Sequence, residues 1–173
     1  DVFGIFERKY AEYHGRGYSL LSNSGTSSIF SMFDAIGVKP GDEVLCPVYT
    51  FHAAVSPLMA LGAIPIFCDC DDYGNIKFEE VEKRYTDRTK AIMVTHMWGD
   101  PVCDIKRIRE FSRAKKISLL EDCSHAHGAA IYGGLVGTFG DAAAWSLQGQ
   151  KTVTGGEGGI MLTDNKAIFE NCL

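Results

Sequence analysis

Lys151 stands in the stretch Trp145-Ser-Leu-Gln-Gly-Gln-Lys-Thr-Val-Thr-Gly-Gly-Glu-Gly-Gly159, between the apolar run Ala142–Trp145 and four glycines. A lysine fixed in a partly buried pocket loses its proton more readily than one in solvent and can attack a carbonyl. A second group of reactive side chains lies in Leu119-Leu-Glu-Asp-Cys-Ser-His-Ala-His-Gly128, at the end of an apolar strand. A buried Asp122 there is costly unless it meets a cation, and a protonated pyridine nitrogen is one such partner. Two other uses fit the same residues. Asp122 can cap the following segment with His125 and His127 as structural hydrogen bonders, or the group can hold a metal, although the histidines lie two apart rather than at helical spacing. In Asn23-Ser-Gly-Thr-Ser27, Ser24, Gly25 and Thr26 join a strand to a helix. The amides that open such a helix suit a phosphate, and a plain N-cap accounts for the same residues. Pro47-Val-Tyr-Thr-Phe-His52 offers aromatic rings at a strand exit, either to a flat ligand or to the core. A phosphate cradle, a stacking ring, an acid for a pyridine nitrogen and a Schiff-base lysine are together what pyridoxal 5'-phosphate requires.

The elements that must position these residues follow from periodicity. Apolar residues at helical spacing predict helices over Asp1–Tyr13 (Val2, Phe3, Phe6, Tyr10), Ser27–Ile36, Ala53–Leu61, Phe78–Tyr85 and Ile105–Lys115. Strands are expected at Tyr18–Leu21, Glu43–Cys46, Ile64–Cys68, Ala91–Thr95, Ile117–Leu120, Ala142–Trp145 and Gly159–Thr163, with a hairpin through Ala129–Tyr132 and Leu135–Gly137. Short strands alternating with helices mean βαβ units and a mostly parallel sheet covered on both faces. Such sheets bind ligands at the carboxyl ends of their strands, where Ser146 and Asp122 would lie. Asp69-Cys-Asp-Asp-Tyr-Gly-Asn75 faintly echoes a calcium loop, but Tyr73 occupies a ligand position and the stretch reads as a turn.

The composition narrows the function classes. A chain of 173 residues is one domain's worth, and its 46% hydrophobic and 23% charged content is that of a globular protein. A net charge of -5 without a basic run argues against a nucleic-acid surface. No apolar stretch reaches the ~20 residues that span a bilayer. The six cysteines form no C-x-x-C pair, which favours reduced, buried thiols and a cytoplasmic protein.

The order and wording of these motifs resemble the DegT/DnrJ/EryC1/StrS family of pyridoxal-phosphate sugar aminotransferases. The resemblance runs from about Ser22 to the end. It is carried by Ser24-Gly-Thr26, Lys39-Pro-Gly-Asp-Glu-Val44, Tyr49-Thr-Phe51, Thr89-Lys-Ala-Ile92, Glu121-Asp122 with His127-Gly128, Gly137-Thr-Phe-Gly-Asp141, and Lys151 with Gly156-Glu-Gly-Gly159. It implies the large domain of the fold type I, aspartate aminotransferase-like transferases over residues 1–173, without the C-terminal small domain. It further implies Lys151 as the lysine that carries the cofactor and Asp122 as partner of the pyridine nitrogen. Thr26, Ser27 and Ser146 would hold the phosphate, Phe51 would lie against the ring, and His125 would stand near the phenolic oxygen. The implied reaction moves an amino group from glutamate or glutamine to a keto-sugar or keto-cyclitol. The implied assembly is a homodimer, with helix Asp1–Tyr13 and the loop around Trp98 as contact surfaces. Dehydratases of the same family resemble the chain but replace the lysine by His, so Lys151 argues against that activity; a non-catalytic homologue is the other alternative.

Overall fold

The computed structural model describes residues 1–173, and the alternation expected from the sequence is present. In chain order the elements are α1 (Val2–His14), β1 (Tyr18–Ser22), α2 (Gly25–Ala35), β2 (Glu43–Pro47), a 3-10 turn at His52–Ala54, and α3 (Ser56–Ala60). They continue with β3 (Ile64–Cys68), α4 (Phe78–Arg84), β4 (Thr89–Thr95), a 3-10 turn at Met97–Gly99, α5 (Ile105–Lys115) and β5 (Ser118–Asp122). The chain closes with the short ribbon β6 (Ala130–Ile131) and β7 (Gly134–Leu135), then β8 (Ala142–Ser146), β9 (Gly159–Thr163) and α6 (Lys166–Asn171).

Seven strands form one sheet in the order β1-β9-β8-β5-β4-β2-β3. Only β9 runs against its neighbours, so β1, β2, β4, β5 and β8 deliver their carboxyl ends to one edge. Strand alternation divides the core between two faces. On one face Val44, Met93, Leu120, Ala144 and Met161 pack under Ile29, Met32 and Phe33 of α2 and Leu58 of α3. On the other, Leu45, Ile92 and Leu119 meet Val81 of α4 and Ile105 and Ile108 of α5. Further along that second face, Trp145, Ile160 and Leu162 meet Tyr10 of α1.

Four local expectations change. The helix expected over Ala53–Leu61 divides into the 3-10 turn and α3, with the break at Val55, because Pro57 has no N–H to bond back to Ala53 and sits instead in the first turn of α3. Helix α1 starts behind its cap Asp1, but it buries Tyr10, Ala11 and His14 while Val2 and Phe3 stay in solvent. Its apolar spacing therefore overstates the buried face. Helix α6 was not foreseen, although Asn165 caps it through the amides of Ala167 and Ile168. Finally, β5 runs through Glu121 and Asp122 instead of ending at Leu120, which turns the two carboxylates to opposite faces of the sheet.

Candidate active site

The carboxyl edge of the sheet encloses a cavity of about 530 Å³. Eight residues proposed from the sequence line it: Ser24, Gly25, Thr26, Phe51, Asp122, His125, Ser146 and Lys151. Ser27 does not. Its hydroxyl donates to Asn23 Oδ1 at 2.6 Å and its amide to Ser24 Oγ at 3.1 Å, and its surface faces a separate shallow hollow with Phe30.

Helix α2 enters the cavity closely. A Cβ on Gly25 would stand 3.0 Å from Ser146 Cβ, and one on Gly159 would stand 2.2 Å from the Ser24 carbonyl oxygen. Two glycines thus let the start of α2 lie directly against the ends of β8 and β9. With Ser24 Oγ taken by the Ser27 amide, the amides of Gly25 and Thr26 have no acceptor within the helix and lie at its positive end.

Lys151 is positioned by a loop bonded to itself. The Lys151 amide donates to the Gln148 carbonyl at 2.9 Å and the Gln150 amide to Gln148 Oε1 at 2.9 Å. Leu147 fixes the far side, donating to the Gly158 carbonyl at 2.8 Å and accepting from Thr154 Oγ1 and the Gly155 amide. Partial burial pushes the ammonium of Lys151 below its ordinary value, against an opposing pull from the Asp122 carboxylate. A fraction of uncharged amine is thereby favoured in the cavity.

Asp122 is almost wholly buried, and the Ser124 amide reaches its Oδ1 at 3.0 Å. Burial holds its carboxyl above the usual range, only partly opposed by the Ser124 bonds and by His96 and His125. Its other acceptor positions are left for whatever enters the cavity. His125 lies under Trp98, rings nearly parallel with centroids 5.4 Å apart. Burial and then the Lys151 charge hold its imidazole below its ordinary value, against Asp122.

On the opposite face, Glu121 is fully buried and accepts four hydrogen bonds, from His96 Nε2 at 3.0 Å and from the amides of Gly137, Phe139 and Gly140. Because the Val102 amide donates to His96 Nδ1, Nε2 is the ring nitrogen that donates to Glu121. Burial alone would raise the carboxyl of Glu121, yet the His96 bond and the loop amides hold it below the usual value. Arg16 grips the same loop from outside, donating to the carbonyls of Gly137 and Gly140. The Gly137–Asp141 motif is thus a nest for a buried anion. His96, Glu121 and Cys123 lie close enough to share a metal ion, but the four donors already occupy Glu121.

The two histidines past β5 separate. His127 donates from Nε2 to the Ser146 carbonyl at 2.9 Å and receives the Tyr10 hydroxyl on Nδ1 at 3.0 Å, which ties α1 to the cavity edge. His125 and His127 therefore do not converge on a common ligand.

Residues 3–173 match the model of the DegT/DnrJ/EryC1/StrS aminotransferase family. The chain belongs to this family. It is 38% identical over 169 residues to a GDP-perosamine synthase of Escherichia coli O157:H7, covering 97% of the chain and 46% of that protein. It is 40% identical over 164 residues to an L-glutamine:2-deoxy-scyllo-inosose aminotransferase of Streptomyces kanamyceticus, covering 94% and 38%. Among solved structures, NtdA from Bacillus subtilis with bound cofactor PMP superposes with a TM-score of 0.93 at 28% identity, covering 99% of the chain and 39% of that one. The chain spans less than half the length of these relatives. Its fold is that of the family's pyridoxal-phosphate aminotransferases.

Beyond the family motifs, the cavity includes Thr95, His96 and Trp98 from the end of β4. The Trp98 loop, expected at a subunit contact, thus also lines the cavity. The wording His96-Met-Trp-Gly99 carries no local signal that Trp98 faces a site, because its placement depends on residues distant in sequence.

Proposed function

We propose that the protein is a pyridoxal-phosphate aminotransferase that moves an amino group from glutamate or glutamine to a nucleotide-linked keto-sugar or to a keto-cyclitol. The observation that carries this reading is the union of Lys151 and Asp122 in one cavity, one amine driven toward neutrality and one buried carboxylate with acceptor capacity to spare. The cavity's residues fit the cofactor: the start of α2 with Gly25 and Thr26, together with Ser146, would hold the phosphate. Asp122 would hold the protonated pyridine nitrogen, Phe51 offers a ring that is 60% exposed, and His125 lies beside Lys151. When bound, pyridoxal phosphate supplies an electron sink for the bonds at the donor's Cα.

The chain's own work is then proton handling and orientation. Lys151 would hold the cofactor, and its Nζ would take a proton from the donor's Cα and deliver it again. Its depressed basicity suits it to both directions. Asp122 stays ionised opposite a cation and keeps that cation protonated. The glycine-tight contact of α2 with β8 fixes the anion site relative to Lys151, so orientation is set before substrate arrives. Lys151 also supports the aminotransferase over the dehydratase of the same family.

We further propose that residues 1–173 constitute the cofactor-binding large domain, that the protein works in the cytoplasm, and that it acts as a homodimer. The exposed Val2 and Phe3 of α1 support a contact surface there. No helix is long and apolar enough to cross a membrane.

The test is a single-turnover assay of the cofactor-loaded protein with glutamine or glutamate, following the cofactor's absorbance. Wild type should convert donor, and Lys151→His should lose at least ~10³-fold in rate while retaining the fold. Conversion by Lys151→His near the wild-type rate would remove Lys151 from the mechanism.

A further inference from the structure

Trp98 is held in a way that core packing does not require. Its backbone is left-handed, with φ 55° and ψ 15°, a strained conformation that a bulky residue rarely adopts. The strain is maintained by Asn75, which is fully buried: its Oδ1 accepts from the Met97 amide at 3.3 Å and its Nδ2 donates to the Asp100 carbonyl at 3.4 Å. The result delivers the indole flat against His125, with Nε1 donating to the Tyr49 hydroxyl at 3.2 Å. Tyr49 is wedged in turn over Gly74, where an added Cβ would meet its ring at 2.7 Å. The inner face and the polar atom of Trp98 are both fixed, yet the residue is 70% exposed and lines the same cavity as Lys151 and Asp122.

A strained backbone and an exposed indole are both unfavourable to the free protein, and neither is repaid by burial. They suit a preorganised stacking surface, since an aromatic face fixed in advance loses little freedom when it is covered. We infer that Trp98 is a specificity-determining residue that stacks on the C–H face of the polyhydroxylated six-membered ring of the amino acceptor. This rests on the aminotransferase reading and adds the acceptor's recognition to it. The hydroxyl-bearing rim of such a ring would remain free for the polar groups around Lys151.

The test uses the cofactor-loaded intact protein, with Trp98→Phe and Trp98→Ala variants. 2-Deoxy-scyllo-inosose serves as a free cyclitol acceptor, with GDP-perosamine and GDP as ligands. Because Trp145 is buried, the difference between wild-type and Trp98→Phe emission reports Trp98. Expected are an acrylamide-accessible Trp98 in the free protein and a change in its emission with the cyclitol or GDP-perosamine but not with GDP. Trp98→Ala should raise the acceptor KM at least ~10-fold, with a loss in the donor half-reaction at least fivefold smaller, and Trp98→Phe should recover most of the difference. Any one of four results would overturn the proposal. These are equal losses in both half-reactions, a response to GDP alone, a Trp98 already shielded by a partner subunit, or no response to either ring-bearing probe. A wild type that binds the ring-bearing probes but converts no amino donor would instead refute the aminotransferase reading while leaving the stacking result standing.

Discussion

Glu121 and Asp122 are neighbours on one strand, both buried, and they sit in opposite electrostatic circumstances. Glu121 faces the side of α4, α5 and α1, where four donors close around it and no acceptor position needs solvent or ligand. Asp122 faces α2 and the cavity, where the Ser124 amide meets it and its carboxyl is held above the usual range. A buried charge that is fully paired serves the fold. One left short of partners stores a cost that a cationic ligand can relieve. The sheet thus separates two tasks by the two-residue period of a strand: one face fixes the Gly137–Gly140 loop, and the other keeps an unmet demand for a proton-bearing group.

Exchanging charge for amide at each position separates the two roles. The largest effect is expected for Asp122→Asn in the loaded protein, a loss of at least ~10³ in the donor half-reaction, or about 4 kcal/mol of barrier. The cofactor-free variant should melt no lower than wild type, because an unmet buried charge has been removed. Rates and calorimetric melts on the same preparations check both halves.

Glu121→Gln should reverse the pattern. An amide nitrogen would face a donor, leaving at least one buried N–H unsatisfied at a cost of about 2–3 kcal/mol in unfolding free energy. Denaturant titration measures this; an unchanged midpoint would mean that the nest does not stabilise the fold.

A smaller loss, about 1–2 kcal/mol, is expected for Arg16→Ala, which frees the carbonyls of Gly137 and Gly140 while Glu121 still holds the amides. If Arg16→Ala cost more than Glu121→Gln, the outer clamp rather than the buried anion would organise the loop.

The smallest effect is in the pH dependence of the cofactor-free protein. Glu121 is depressed below its ordinary 4.5, so its contribution is present above that pH and is lost as pH falls through the folded value. Asp122 is raised above its ordinary 3.8, so its cost is present at neutral pH and is relieved as pH falls from the folded value toward 3.8. Stability measured across this acid range should fall less steeply than wild type in Glu121→Gln and more steeply in Asp122→Asn. Parallel curves would contradict the assignment of opposite shifts.

Much of this arrangement was legible in the sequence, for physical reasons that can be named. The two-residue and helical periods gave the βαβ order, and the motifs around Ser24 and Lys151 pointed to the residues that line the cavity. The division of labour between Glu121 and Asp122 depended on a strand end placed two residues too early, because a charged pair reads as the end of an apolar run. Glu121's partners lie 16 to 25 residues away, and no local pattern announces them. That Trp98 also lines the cavity was not legible for the same reason, since its conformation is imposed by Asn75 and its orientation by Tyr49 and His125. The hydroxyl of Ser27, assigned to the phosphate by its motif, is engaged by Asn23, a contact that the motif alone does not announce.

We propose the Asp122 face of the sheet as a cofactor site with Lys151 as its point of attachment. Borohydride reduction of the intact protein loaded with pyridoxal phosphate, followed by peptide mass mapping, tests it most directly. A reduced adduct is expected on Lys151 and is expected to be absent in Lys151→His. An adduct on Lys90 or Lys166 instead, or none on any lysine, would contradict it.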